Sequence, residues 1–90
     1  MAWKVAVEDD AKKSLGALDK PVRERIIKKL LQLEREGHES RHLKHGMPFF
    51  VEEAGGYRIA FKAREAEKTK RVYFIGDHKE YERWYGNLPY

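Results

Sequence analysis

The sequence predicts one α+β domain, a helical hairpin packed on one face of a twisted, mainly antiparallel sheet. Three observations carry this. Two stretches between residues 8 and 36 repeat their apolar residues at helical spacing, with a short break between them. Three strand-like runs follow between residues 49 and 75, separated by a glycine pair and a polar loop. No internal repeat, low-complexity tract or Pro/Gly/Ser linker divides the 90 residues, so residues 1–90 are read as a single domain.

The elements follow in order. Trp3-Lys4-Val5-Ala6-Val7 alternates as a short strand does. Glu8-Asp9-Asp10 places acids where a helix amino terminus favours them, and Ala11, Leu15 and Leu18 mark one helical face. Pro21 suits the first turn of a second helix, because its missing N–H would be unpaired there anyway. Val22, Ile26, Ile27, Leu30, Leu31 and Leu33 form its apolar stripe, with Gly37 as the expected carboxy-terminal cap. This stripe is core. Residues 38–48 read as a loop with a short ordered turn. Phe49-Phe50-Val51-Glu52-Glu53 reads as a strand and Gly55-Gly56 as a tight turn. Tyr57 to Arg64 alternates strictly: Tyr57, Ile59, Phe61 and Ala63 face one way, Arg58, Ala60, Lys62 and Arg64 the other. Residues 65–69 form a polar loop, and Arg71 to Ile75, apolar on both faces, is expected to be a central strand. Gly76 ends it, and a last short helix spans His78 to Tyr85.

Composition narrows the chemistry. Lys and Arg number 19 against 15 Asp and Glu, a net charge of +4, which suits a polyanionic partner without requiring one. Cysteine is absent, which excludes disulfides, thiolate zinc sites and cysteine nucleophiles and suits a reducing cytosol. No apolar run approaches the ~20 residues of a membrane span, and Met1-Ala2-Trp3-Lys4 lacks the apolar stretch of a signal peptide. The expectation is a cytoplasmic protein with no membrane partner.

Three features could carry function. Arg58, Lys62 and Arg64 on one strand face make a phosphate cradle or a solvated surface. Gly76 would turn the chain sharply and deliver His78, with Asp77 beside it and Tyr81 one helical turn on; histidine exchanges protons near neutral pH. His38, His42 and His45 are spaced like helical metal ligands, but Gly46 and Pro48 crowd the stretch and no acidic or cysteine ligand accompanies them. With Arg41 and Lys44 they read better as a basic loop bordering the sheet. No metal and no cofactor is expected. Trp84, Tyr85 and Tyr90 could stack on bases, though packing of the terminal helix on the sheet is the preferred role for such residues.

In order, these residues resemble the RelE/ParE toxin superfamily along nearly the whole chain. The resemblance rests on Leu15-x-x-Leu18 before Val22-x-x-x-Ile26-x-x-x-Leu30, on Leu43-Lys44-His45-Gly46-Met47-Pro48, on Gly56-Tyr57-Arg58-Ile59-Ala60-Phe61, and on Gly76-Asp77-His78-Lys79-Glu80-Tyr81. The ending is most similar to the HigB and YafQ branches, and Leu-Lys-His also occurs in YoeB. The resemblance implies a microbial RNase-like fold and sequestration by a cognate antitoxin. In the nuclease branches it also implies cleavage of messenger RNA in the ribosomal A site, with operator DNA reached through the toxin–antitoxin complex.

Residue by residue, the resemblance makes Arg58 the holder of the scissile phosphate and His78 the general acid, with Tyr81 near a family aromatic position. Lys44, His45, Lys62, Arg64 and Lys79 are the expected RNA contacts. The lysine pair that RelE carries before the glycine-tyrosine turn is absent; Phe50-Val51-Glu52-Glu53 stands there instead. A carboxylate base is therefore expected, Glu53 by proximity to the turn, with Glu52 the alternative. Two rival readings share the fold: a ParE-like toxin that inhibits DNA gyrase and cleaves nothing, and a degenerate member that binds only its antitoxin and operator.

Overall fold

A computed structural model describes residues 3–35, 41–42 and 49–87, with Arg41 and His42 described by backbone alone. Strand β1 (Lys4–Val7) leads into α1 (Asp9–Gly16) and α2 (Lys20–Leu33), then β2 (Arg41–His42), β3 (Phe50–Ala54), β4 (Tyr57–Arg64), β5 (Thr69–Asp77) and α3 (His78–Gly86). The sheet runs β1-β5-β4-β3-β2; β1 lies parallel to β5 and every other pair is antiparallel. The α+β reading and the order of the main elements hold. Within the expected loop, residues 41 and 42 pair with Val51 and Phe50 as a two-residue strand, an element too short to leave a periodicity.

The hairpin of α1 and α2 covers one face. Ala11, Ile26, Leu33, Ile59, Phe61, Val72 and Ile75 are buried together there, with Leu15, Leu18, Val22 and Leu30 packed around them. Leu18 reaches this core from the break between the helices, because α1 ends at Gly16. Helix α2 ends at Leu33, before the expected cap at Gly37, which lies outside the described residues. The buried ammonium of Lys70 on β5 donates to the Leu33 carbonyl at 2.8 Å, giving a helix-end acceptor a cationic partner. Trp3 stacks against the same ammonium, 5.0 Å from its ring centre.

Gly55 and Gly56 both adopt positive φ, +55° and +83°, as a two-residue hairpin requires, and this closes Ala54 against Tyr57. That register decides which residues of β3 share a face with Arg58. Between β4 and β5 the chain makes a short 3-10 turn, Glu65–Glu67, and Lys68 takes a left-handed conformation to leave it.

The sequence puts Arg58, Lys62, Arg64 and Ala60 on the second sheet face and favours packing the terminal helix on the sheet, without indicating which face. The structure settles this in favour of the same face. Helix α3 packs there, and Phe49, Ala60 and Tyr81 form a second buried cluster with Val51, Tyr73, Phe74, Trp84 and Tyr85 around it. A bulge in β5 enlarges this cluster. Ala60 faces Phe74 and Phe61 faces Val72, so Tyr73 is an extra residue between them. Tyr73 and Phe74, adjacent in sequence, therefore both pack in the second cluster, while Val72 and Ile75 stay in the first.

Candidate functional site

The site grows from the turn between β5 and α3. Asp77 caps the helix: its carboxylate accepts from the Glu80 N–H at 2.8 Å, and the Glu80 carboxylate accepts from the Asp77 N–H at 2.9 Å. This reciprocal box satisfies two amide donors at the helix start and fixes its direction. Gly76 is needed because a Cβ there would sit 2.6 Å from the Phe74 ring and 3.2 Å from the Glu80 side chain. Its expected role, turning the chain sharply, is in fact one of close approach, since its backbone lies outside the positive-φ region.

His78 is the first residue of α3 and is exposed. Its Nε2 lies 2.9 Å from Oε1 of Glu82, one helical turn on. Asp77, its neighbour in sequence, is occupied by the cap instead. Tyr81 points inward and is only 7% exposed. Arg58 lies across from Gly76 in the β4–β5 register, and its guanidinium carbon stands 4.8 Å over the Tyr81 ring. Burial pushes the Tyr81 phenol above its ordinary value near 10.0, with the Arg58 charge acting in the opposite sense. The phenol therefore keeps its proton at neutral pH, and Tyr81 can donate a hydrogen bond and support Arg58 but cannot act as a base.

Glu53 faces Arg58 across β3 and β4, its Oε1 3.4 Å from Arg58 Nη2. Glu52 points the other way, toward α2, where its carboxylate lies 3.8 Å from Lys29 Nζ. Of the two candidate carboxylates, Glu53 shares the face of Arg58. Lys62 lies further along β4, 5.0 Å over the Phe49 ring and 5.2 Å over that of Tyr73. Arg64 does not join the group. It is six residues from Arg58, roughly 20 Å along the strand, and pairs with Glu67 at 3.6 Å. Lys79 is exposed on the first turn of α3. Lys44 and His45 lie outside the described residues, as does His38, while His42 is described by its backbone alone. Among the described residues no group of three or more histidines and acids is placed to hold a metal.

The face thus presents Arg58 on an aromatic ring with a carboxylate beside it, and His78 at the adjoining helix start. Sequence reasoning missed Glu82, although the i,i+4 spacing from His78 is a readable signal. It also missed Phe49 and Tyr73 as the seat of Lys62; the bulge in β5 is what brings Tyr73 to this face. Trp84, stacked 5.0 Å from Phe74 and edge-on 5.1 Å from Phe49, packs the helix onto the sheet as preferred.

No protein-family model matches the chain, and no curated protein matches it in sequence. Solved structures do. The chain is similar to the RelBE2 toxin–antitoxin complex of Mycobacterium tuberculosis at 16% identity and TM-score 0.77, over 87% of this chain and 100% of that one. A free E. coli RelE toxin carrying two arginine substitutions matches at 23% identity and TM-score 0.77, over 94% and 93% of the two chains. The RelE–RelB complex of Pyrococcus horikoshii matches at 20% identity and TM-score 0.65, over 86% and 96%. The chain has the fold of the RelE toxins. No helix among the described residues is long and apolar enough to cross a membrane.

Proposed function

We propose that this protein is the toxin of a type II toxin–antitoxin pair and acts in the cytoplasm as a metal-independent, ribosome-dependent endoribonuclease on messenger RNA. The observation that carries the reading is Arg58 held on the Tyr81 ring and faced by Glu53, with His78 three residues before Tyr81 at the start of α3. The shared fold with RelE chains seen in RelB complexes supports an antitoxin partner. Operator DNA is reached through the toxin–antitoxin complex.

The chemistry follows from the groups present. A base takes the proton of the RNA 2′-hydroxyl, and the resulting oxygen attacks the adjacent phosphorus. Glu53 is the carboxylate on the right face; when Arg58 turns to the phosphate, its ion pair with Glu53 is exchanged for the substrate and the carboxylate is freed. Arg58 matches the charge developing on the phosphoryl oxygens, supported by Lys62 further along β4 and, by the resemblance, by Lys44. His78 protonates the departing 5′-oxygen. The products are a 2′,3′-cyclic phosphate and a 5′-hydroxyl, and DNA, lacking the nucleophile, resists.

Induced expression with primer extension on cellular messages tests this. New message 5′ ends accompanying growth arrest, both lost in His78→Ala and Arg58→Ala, are the expected result. Arrest without cleavage that survives His78→Ala would move the reading to a gyrase inhibitor, and in vitro cleavage that disappears with a chelator would refute the metal-free mechanism.

A further inference from the structure

We propose that Glu82 is a positioning residue that holds the imidazole of His78 by Nε2 and so assigns the proton exchanged with RNA to Nδ1; the catalytic half of this rests on the nuclease reading. Glu82 Oε1 lies 2.9 Å from His78 Nε2. A carboxylate can only accept, so the nitrogen facing it carries the proton in both the neutral and the charged ring. The nitrogen that gains and loses a proton is then the other one, Nδ1. Competing acceptors beside His78 are already committed: Asp77 accepts from the Glu80 amide, and Glu80 from the Asp77 amide. Glu82 is thus the carboxylate of this turn directed at the ring. Both partners are solvent-accessible, at 57% and 66%, so the contact's value lies in orientation more than in stability.

The pairing also explains a division of labour along α3. Asp77 and Glu80 set the direction of the helix, Tyr81 carries Arg58, and Glu82 sets the ring of His78. Three roles, carried by four residues between Asp77 and Glu82, thereby fall within about one and a half turns. A ring free to rotate would present either nitrogen to the leaving oxygen and spend part of its time pointing to solvent.

Protein labelled with 15N-histidine, examined by long-range proton–nitrogen correlation above the ring's titration, reads the tautomer directly. The chain has 4 histidines, and loss of signals in His78→Asn assigns the relevant pair. The expected result is a protonated Nε2 and a bare Nδ1 in the wild type, moving toward an averaged pair in Glu82→Ala. Protonation at Nδ1, or nitrogen shifts unchanged by Glu82→Ala, overturns the proposal. Cleavage of messages on programmed ribosomes supplies the second readout. Glu82→Ala slows the single-turnover rate about 10-fold with binding unchanged, Glu82→Gln recovers part because its amide oxygen still accepts, and His78→Ala is slowed no further by adding Glu82→Ala. A full-rate Glu82→Ala overturns the positioning role. A wild type that cleaves nothing refutes the nuclease reading and with it the assignment of Nδ1 to RNA, while the spectra still report whether Glu82 holds the ring.

Discussion

Replacing Gly76 with alanine should disturb the site from behind without touching a functional group. The backbone there lies outside the positive-φ region, so alanine brings no conformational penalty of that kind. The cost is steric. The new methyl would lie 2.6 Å from the tip of the Phe74 ring, against about 3.5–4.0 Å for a comfortable carbon contact, so ring or strand must give by about 1 Å. Phe74 is stacked on Trp84 at 5.0 Å and has little room to yield, and such overpacking costs about 1–3 kcal/mol. The same methyl sits 3.2 Å from the Glu80 carboxylate and pushes on the capping box, whose loss costs about 1 kcal/mol more. Together these give about 2–4 kcal/mol, roughly 10–25 °C in melting temperature for a domain of this size. Urea unfolding measures the loss, and the near-ultraviolet circular dichroism of Trp84 reports whether α3 has moved. A Gly76→Ala protein within about 0.5 kcal/mol of wild type, with an unchanged aromatic spectrum, would refute the argument that this glycine exists for close approach.

Other perturbations separate site from scaffold. Arg58→Lys keeps a cation over Tyr81 but loses the planar fork; the RNA cleavage proposed above should fall by about 10²–10³, measured by primer extension, with stability changed by about 0.5 kcal/mol or less. Burial holds the Lys70 ammonium below its ordinary value of 10.5, against the pull of Glu52, so the unfolded chain binds the proton more tightly than the folded one. Wild-type stability should therefore rise relative to Lys70→Met as pH climbs towards 10.5, seen in parallel urea titrations; a pH-independent difference would contradict it. Gly55→Ala forces a side chain into φ +55° and against the mobile end of Arg25, 2.7 Å away. A loss of about 1 kcal/mol is expected, chiefly from the backbone, and denaturant unfolding would expose a smaller effect.

Much of this architecture was legible in the residues because local patterns carried it. The alternation from Tyr57 to Arg64 separated Ile59 and Phe61, in the first core, from Arg58, Ala60 and Lys62 on the other face, and the glycine pair fixed a hairpin whose register then placed Glu53, and not Glu52, with Arg58. What could not be read depends on partners distant in sequence. The end of α2 at Leu33 meets a lysine 37 residues further on. The bulge at Tyr73 was invisible because aromatics on both sides of a central strand look alike whether or not the register slips. His78, Tyr81, Trp84 and Tyr85 announced a helix, but nothing local to them says which sheet face it will cover. Lys44 and His45 lie outside the described residues, and their place at the site stays an expectation from the resemblance.

The position of β5 has a consequence for how the molecule is made. It is the last strand among the described residues yet lies inside the sheet, between β1 and β4, and it supplies Val72 and Ile75 to one core and Tyr73 and Phe74 to the other. Lys4 waits for Thr69 before β1 has a neighbour. A nascent chain stopped before residue 69 has an orphan first strand, a hairpin helix lying on half a sheet, and no α3 on which to mount Arg58 or His78. Synthesis proceeds from the amino terminus, and pairing over such separations is slow. A translating ribosome therefore carries a chain with neither a finished sheet nor an assembled Arg58–Tyr81 stack until β5 and α3 have emerged.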